Sequence, residues 1–188
     1  MIYIANCRRK IKCLRKEFPN ATILDLTSKS PYRYGKILSP FYPHGNIPVP
    51  FTPGVTATCV EAIWQGLKVF RNSDVDTTLF ENTTMSGLKR TIKKYGQIIG
   101  HRKGLNSDII LNYNDARFLI YLPTYKWVLE NIPEVRNVIM RIKEYSLTHD
   151  LVFLDYNVNA DINDISKPLS HAQLVKLYIE EKYPSLEF

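Results

Sequence analysis

Glu61, Gln65 and Lys68 place an acid, an amide and an amine at three-four spacing, which on a helix gathers all three on one flank. Such a set can hold a proton and stabilise a developing cation. Glu61 also has a purely local reading. Thr58-Cys59-Val60-Glu61 has the form of a capping box, in which the carboxylate folds back onto the Thr58 amide. Spacing alone leaves capping and catalysis both open. A carboxylate in a first helical turn is favoured in its ionised form, which suits a base or cation stabiliser better than a general acid. Asp155 is a second candidate acid, set directly after the apolar run Leu151-Val152-Phe153-Leu154; its ordinary alternative is to close a turn. His171, in the first turn of the last helix, is expected to stay neutral and to act on a leaving group or donate one hydrogen bond.

Two further stretches can supply binding groups. Residues 30–53 are rich in Pro and Gly and carry Tyr32, Tyr34, Phe41, Tyr42 and Phe51, an ordered aromatic loop rather than a linker. Its rings either cover one end of the core or form a stacking wall for a nucleotide base. Between Glu81 and Asp108 the chain has no acid, while Lys89, Arg90, Lys93, Lys94, Arg102 and Lys103 accumulate. Gly100-His101-Arg102-Lys103-Gly104 reads as a glycine-flanked loop able to hold phosphate, and equally as a solvated basic loop. No phosphate-binding loop of the Lys-Ser/Thr type and no dinucleotide glycine motif occurs.

The elements that must position these residues can be read in order. Ile2-Tyr3-Ile4 predicts a strand, Asn6 caps a helix with Cys7, Ile11, Leu14 and Phe18 on one face, Pro19 ends it, and residues 21–26 return as a strand. A buried stripe of Val60, Ile63, Trp64, Leu67 and Phe70 predicts a central helix reaching Phe70. Thr77 to Glu81 can start a short helix. Asn114 and Asp115 open a helix that Pro123 interrupts, and Pro133 starts another with Val135, Val138, Ile139 and Ile142 inside. Leu151 to Leu154 suits a buried strand, and Ser170 with Gln173 has capping-box spacing at the start of the last helix.

These elements predict an α+β fold, mostly helical with a few short strands, in which residues 1–188 form a single domain. The formal charge of +7 favours an anionic partner such as a phosphorylated metabolite or nucleic acid. Cys7, Cys13 and Cys59 lack metal-ligand spacing and read as reduced thiols, so an intracellular, cytoplasmic protein with no metal and no cofactor is expected. The N-terminal apolar run is too short for a signal peptide, and no apolar stretch approaches the roughly 20 residues that span a bilayer.

Ser39-Pro40-Phe41-Tyr42-Pro43 and Val60-Glu61-Ala62-Ile63-Trp64-Gln65-Gly66-Leu67-Lys68 resemble the two leading motifs of the NADAR, or YbiA-like, family, with Pro40 in place of the usual Asn and Trp64 in place of the usual Tyr. The resemblance implies a YbiA-like domain and an N-glycosidase acting on ADP-ribosyl conjugates, including ADP-ribosylated guanine in nucleic acid, or on phosphoribosyl intermediates of riboflavin synthesis. It implies Glu61 as the catalytic acid residue, Phe41 and Tyr42 as pocket wall, and Gln65 and Lys68 in support, with Ser39 and Trp64 carried along as substrate-binding members of the same motifs. The family's later acidic motif falls on Asp155, Asn159 or Asp161. Breaking a ribose C1′–N bond leaves positive charge on the sugar and negative charge on the base, so Glu61 is expected at the former. His101, His171 or Lys68 is expected at the latter, with Arg102 and Lys103 on phosphates. The competing expectations are a DNA glycosylase that flips out a modified base, and a non-catalytic nucleotide or nucleic-acid binder.

Overall fold

A computed structural model describes residues 1–185, whose contacts cluster into two compact units. The first comprises Met1–Ser39 and Leu129–Pro184, the second Pro40–Val128. The fold is α+β with short strands throughout and a strand-helix-strand unit at its N-terminus.

In the first unit, β1 (Ile2–Asn6), α1 (Ile11–Glu17) and β2 (Thr22–Asp25) form the expected entrance. The two strands do not pair with each other. Both run parallel to the late strand β8 (Leu151–Asp155), giving the order β1-β8-β2, with Ile2 and Thr22 in register with Leu151. This explains the unbroken apolar run: a central parallel strand is covered on both faces, and all five β8 residues are buried. Val152 and Leu154 pack with Ala5 and Leu14 of the strand-helix-strand unit.

Helix α1 starts later than Asn6 predicts. The Asn6 side chain accepts from the Arg8 amide at 2.9 Å and donates to the Tyr156 carbonyl at 2.8 Å, so it makes a turn and ties β1 to the end of β8 instead of capping. A short helix, α2 (Arg33–Ile37), interrupts what reads as loop; Gly35 permits it, since a Cβ there would lie 2.0 Å from the Asp25 carbonyl. The long helix α7 (Pro133–Ser146) has Pro at its start and Val135, Ile139 and Ile142 buried, as its periodicity predicts, while Val138 of the same stripe is only half-buried. Helix α8 (His171–Ile179) is capped by Ser170, whose hydroxyl accepts from the Gln173 amide at 3.2 Å.

The second unit holds a small hairpin, β3 (Ile47–Pro48) with β4 (Thr56–Ala57), then α3 (Val60–Gly66), β5 (Lys68–Phe70), a 3-10 helix (Thr77–Glu81), α4 (Ile92–Tyr95), β6 (Ile98–Arg102) and β7 (Ile110–Leu111). Strands β5-β6-β7 form an antiparallel sheet in that order. Helix α3 therefore stops short of the predicted Phe70. Gly66 lets the 3-10 helix approach, because a Cβ there would meet the Phe80 ring at 2.4 Å, and the next residues bond to β6 instead of continuing the helix. Gly100 lies within a strand, not a loop. A Cβ on it would meet the Leu111 carbonyl at 2.3 Å, so its glycine serves the β6–β7 approach.

Helix α5 (Tyr113–Ala116) is capped by Asn112, runs into a π-helical turn (Arg117–Tyr121) and continues as α6 (Leu122–Asn131), within which the chain passes back to the first unit. Pro123 accordingly does not split the helix. The π turn widens the backbone just ahead of the residue that lacks an N–H.

Candidate functional site

Glu61 does not cap its helix. The cap is Cys59, whose Sγ accepts from the Ala62 amide at 3.3 Å, while the Thr58 amide donates to the Phe80 carbonyl at 2.8 Å. This leaves the Glu61 carboxyl inside the second unit, where the Gln65 side-chain amide donates to Oε1 at 2.8 Å. Among the described residues Gln65 is the only hydrogen-bond donor to that carboxyl. Gln65 Oε1 in turn accepts from Lys68 Nζ at 3.1 Å and from the Arg90 amide at 3.2 Å. Glu61, Gln65 and Lys68 are all buried with a small residual exposure, so the three form an acid–amide–amine relay largely removed from bulk solvent.

Burial sets the charge states. It pushes the Glu61 carboxyl above the usual carboxylate range, against the opposing pull of the Gln65 bond and of Lys68 and Lys89. The expectation that the helix start favours the ionised form is thus opposed by burial, which disfavours it. Burial likewise lowers the Lys68 ammonium, partly restored by Glu61 and lowered further by Arg90 and Lys89.

Lys68 is the first residue of β5 and pairs across the sheet with His101 of β6, so the two side chains share one face. The His101 ring lies 3.8 Å from the Trp64 ring, centroid to centroid, and Tyr113 and Tyr121 meet Trp64 edge-on at 5.6 Å. His101 is fully buried, and neither ring nitrogen has a hydrogen-bond partner among the described residues. Burial, aided by Lys68, pulls its pKa down to about 3, which keeps it a neutral donor–acceptor.

The aromatic loop is joined to this helix through the backbone. The Glu61 amide donates to the Pro40 carbonyl and the Gly45 amide to the Thr58 carbonyl, both at 2.9 Å. Pro40, where the resembling motif has Asn, thus contributes its carbonyl to the start of α3. Lys89 Nζ lies 5.8 Å from the Phe41 ring and acts electrostatically on Glu61, so it connects loop and acid. Tyr42 packs on His44 at 4.9 Å.

The remaining candidates make other contacts within their own units. Arg102 follows His101 and so projects from the other face of β6, where it forks onto Asp74 at 2.7 and 2.8 Å and bonds the Ser107 carbonyl at 2.9 Å. Lys103 lies over the Phe51 ring at 5.0 Å. Ser39 is buried in the first unit, its amide closing the turn after α2. Asp155 and His171 also belong to the first unit, where they contact each other. His171 Nδ1 is 3.1 Å from Asp155 Oδ2, which also accepts from the Ser170 hydroxyl at 2.7 Å, and His171 Nε2 donates to the Leu26 carbonyl at 2.7 Å. Two acceptors facing one imidazole call for a proton on each nitrogen. Burial opposes that charge, but the Asp155 carboxylate outweighs it and His171 is raised, whereas its place in a first helical turn predicts a neutral ring.

Arg90 carries no motif, yet it reaches the relay more than any other cation. It is buried and donates to the carbonyls of Gln65 and Lys68 at 3.3 and 2.5 Å. A run of basic residues is its only sequence signal. No group of three or more His, Cys, Asp or Glu side chains is placed to hold a metal among the described residues, and no described helix is long and apolar enough to cross a membrane. No curated protein matches the chain. Residues 6–175 match a family of unknown function (DUF6939), and the chain belongs to that family.

Proposed function

We propose that the chain is an N-glycosidase that hydrolyses the ribose C1′–N bond of an ADP-ribosyl or modified-nucleotide conjugate, including one carried on nucleic acid. The observation that carries this reading is the buried relay of Glu61, Gln65 and Lys68, a carboxyl and an amine held apart across one amide. The resemblance of residues 39–43 and 60–68 to the NADAR motifs points to the ADP-ribosyl class. The backbone bond from Glu61 to Pro40 supports treating the two motifs as one site.

In the reaction the C1′–N bond breaks, its electron pair goes to the base, and water adds to C1′. Ionised Glu61 faces the positive sugar and takes the proton that the water loses. The departing base needs a proton. His101, with its pKa near 3, cannot carry one at neutral pH, and both nitrogens of His171 are already engaged, so Lys68 fits the role best. Net consumption is one water per bond.

Incubation with ADP-ribosylated guanosine, ADP-ribosylated DNA and a panel of base-modified DNAs, read by mass spectrometry, tests the proposal. Release of ADP-ribose with an intact base is the expected result. Abasic-site formation would move the assignment to a DNA glycosylase, and binding without turnover on every substrate would reduce the site to a nucleotide-binding one.

A further inference from the structure

We propose that Arg90 is a positioning residue that locks the side-chain amide of Gln65 in the one orientation that keeps the Glu61–Gln65–Lys68 relay assembled. The proposal rests on the reading of that relay as the working site.

An unconstrained glutamine amide can turn over, exchanging its oxygen and nitrogen. Here the observed orientation gives Glu61 an N–H and gives Lys68 a carbonyl oxygen. Those two contacts alone do not fix it, because a protonated Glu61 or a neutral Lys68 would accept the reversed amide. The Arg90 main-chain N–H removes the ambiguity. It donates to Gln65 Oε1 at 3.2 Å, and the reversed amide would place one donor against another whatever the charge on Glu61 and Lys68.

The Arg90 side chain holds that N–H in place. Its guanidinium donates to the carbonyls of Gln65 and Lys68 at 3.3 and 2.5 Å, to Ser73 Oγ at 2.8 Å and to the Asp74 carbonyl at 2.6 Å. The Phe70 and Tyr95 rings each lie 4.8 Å from it. Two of these acceptors are the carbonyls of relay residues, that of Gln65 in the last turn of α3, where a cation is favoured, and that of Lys68 at the start of β5. A planar fork between rings can serve four acceptors at once; an ammonium cannot.

Nuclear magnetic resonance of the labelled full chain tests this without relying on catalysis. The Gln65 side-chain amide signals are assigned by their loss in Gln65→Ala, and Lys68 is titrated through its Nζ. The charged groups that act on Lys68 are Glu61 from α3 and Lys89 and Arg90 from the segment before α4, while the neutral His101 of β6 faces it across the sheet. In Arg90→Ala we expect the Gln65 amide protons to exchange about 10-fold faster or more. We also expect Lys68 to titrate closer to the ordinary lysine value of 10.5. Arg90→Lys, which keeps the charge and loses the fork, is expected to show the faster exchange with a smaller Lys68 shift, and it carries the test if Arg90→Ala does not fold. Exchange within about twofold of the parent in either folded variant would overturn the proposal. On the glycosidic substrate, Arg90→Lys is expected to lower kcat about 10-fold or more with KM little changed, and to move a limb of the pH profile. A merely structural loss of folded enzyme would leave that profile in place. A parent protein that cleaves no glycosidic bond would sink the glycosidase reading alone, since the exchange measurement still decides the role of Arg90.

Discussion

Glu61 is placed at a cost to folding. Its carboxyl is raised by burial, so in the folded state ionisation is disfavoured relative to the unfolded chain, and the penalty grows as pH rises from the unfolded value of 4.5 through the higher folded one. Glu61→Gln keeps an acceptor for Gln65 and removes the charge. We therefore predict that Glu61→Gln is more stable than the parent by on the order of 1 kcal/mol at pH 8, with the gap closing near pH 4, as thermal unfolding across that range would register. A variant less stable than the parent at high pH would contradict the charge assignment. The residue types of this relay were legible from three-four spacing. Its buried environment was not, because spacing cannot separate a capping carboxylate from one turned inward; the Cys59 cap and the Thr58–Phe80 bond decide it.

At the scale of elements, the junction of β8 and α8 is held by the Asp155–His171 pair. His171 is raised, so its contribution is complete below its unfolded value near 6.5 and is lost as pH climbs through the folded one. Asp155 is lowered despite burial, chiefly by His171, so its contribution is present above 3.8 and is lost as pH falls through the folded value. Replacing His171 by Ala should cost about 3 kcal/mol, by leaving a buried carboxylate unpaired. Urea unfolding should find this loss largest between the two limits, and a loss independent of pH would indicate packing alone. Gly66→Ala, with Phe80 2.4 Å from its new methyl, is predicted to cost about 1–3 kcal/mol where α3 passes into β5. The stripes of α7 and β8 and the Ser170 cap were readable because local periodicity and capping chemistry coincide with the tertiary outcome. The early end of α3 was not, since it is set by Phe80 and β6, neighbours distant in sequence; nor was the π turn, since a Pro inside a helical pattern signals an interruption and does not show that the backbone widens ahead of it and continues.

For the molecule as a whole, the charge of +7 and the acid-free stretch between Glu81 and Asp108 predict attraction to nucleic-acid phosphates. Single-stranded DNA binding followed by anisotropy should weaken steeply as salt is raised, and salt-insensitive binding would exclude this electrostatic term. Parallel pairing of β1 and β2 with a strand nearly the whole chain away could not be inferred from either segment alone, although the apolar run of β8 already required cover on both faces. The most direct test of the central claim is hydrolysis of ADP-ribosylated guanosine in heavy-oxygen water by the parent and by Glu61→Gln. The parent is expected to leave one labelled oxygen at the sugar C1′, and a fully folded Glu61→Gln to be at least about 100-fold slower. Undiminished cleavage by Glu61→Gln, or release of the base with no label at the sugar C1′, would contradict a Glu61-dependent hydrolysis at that carbon.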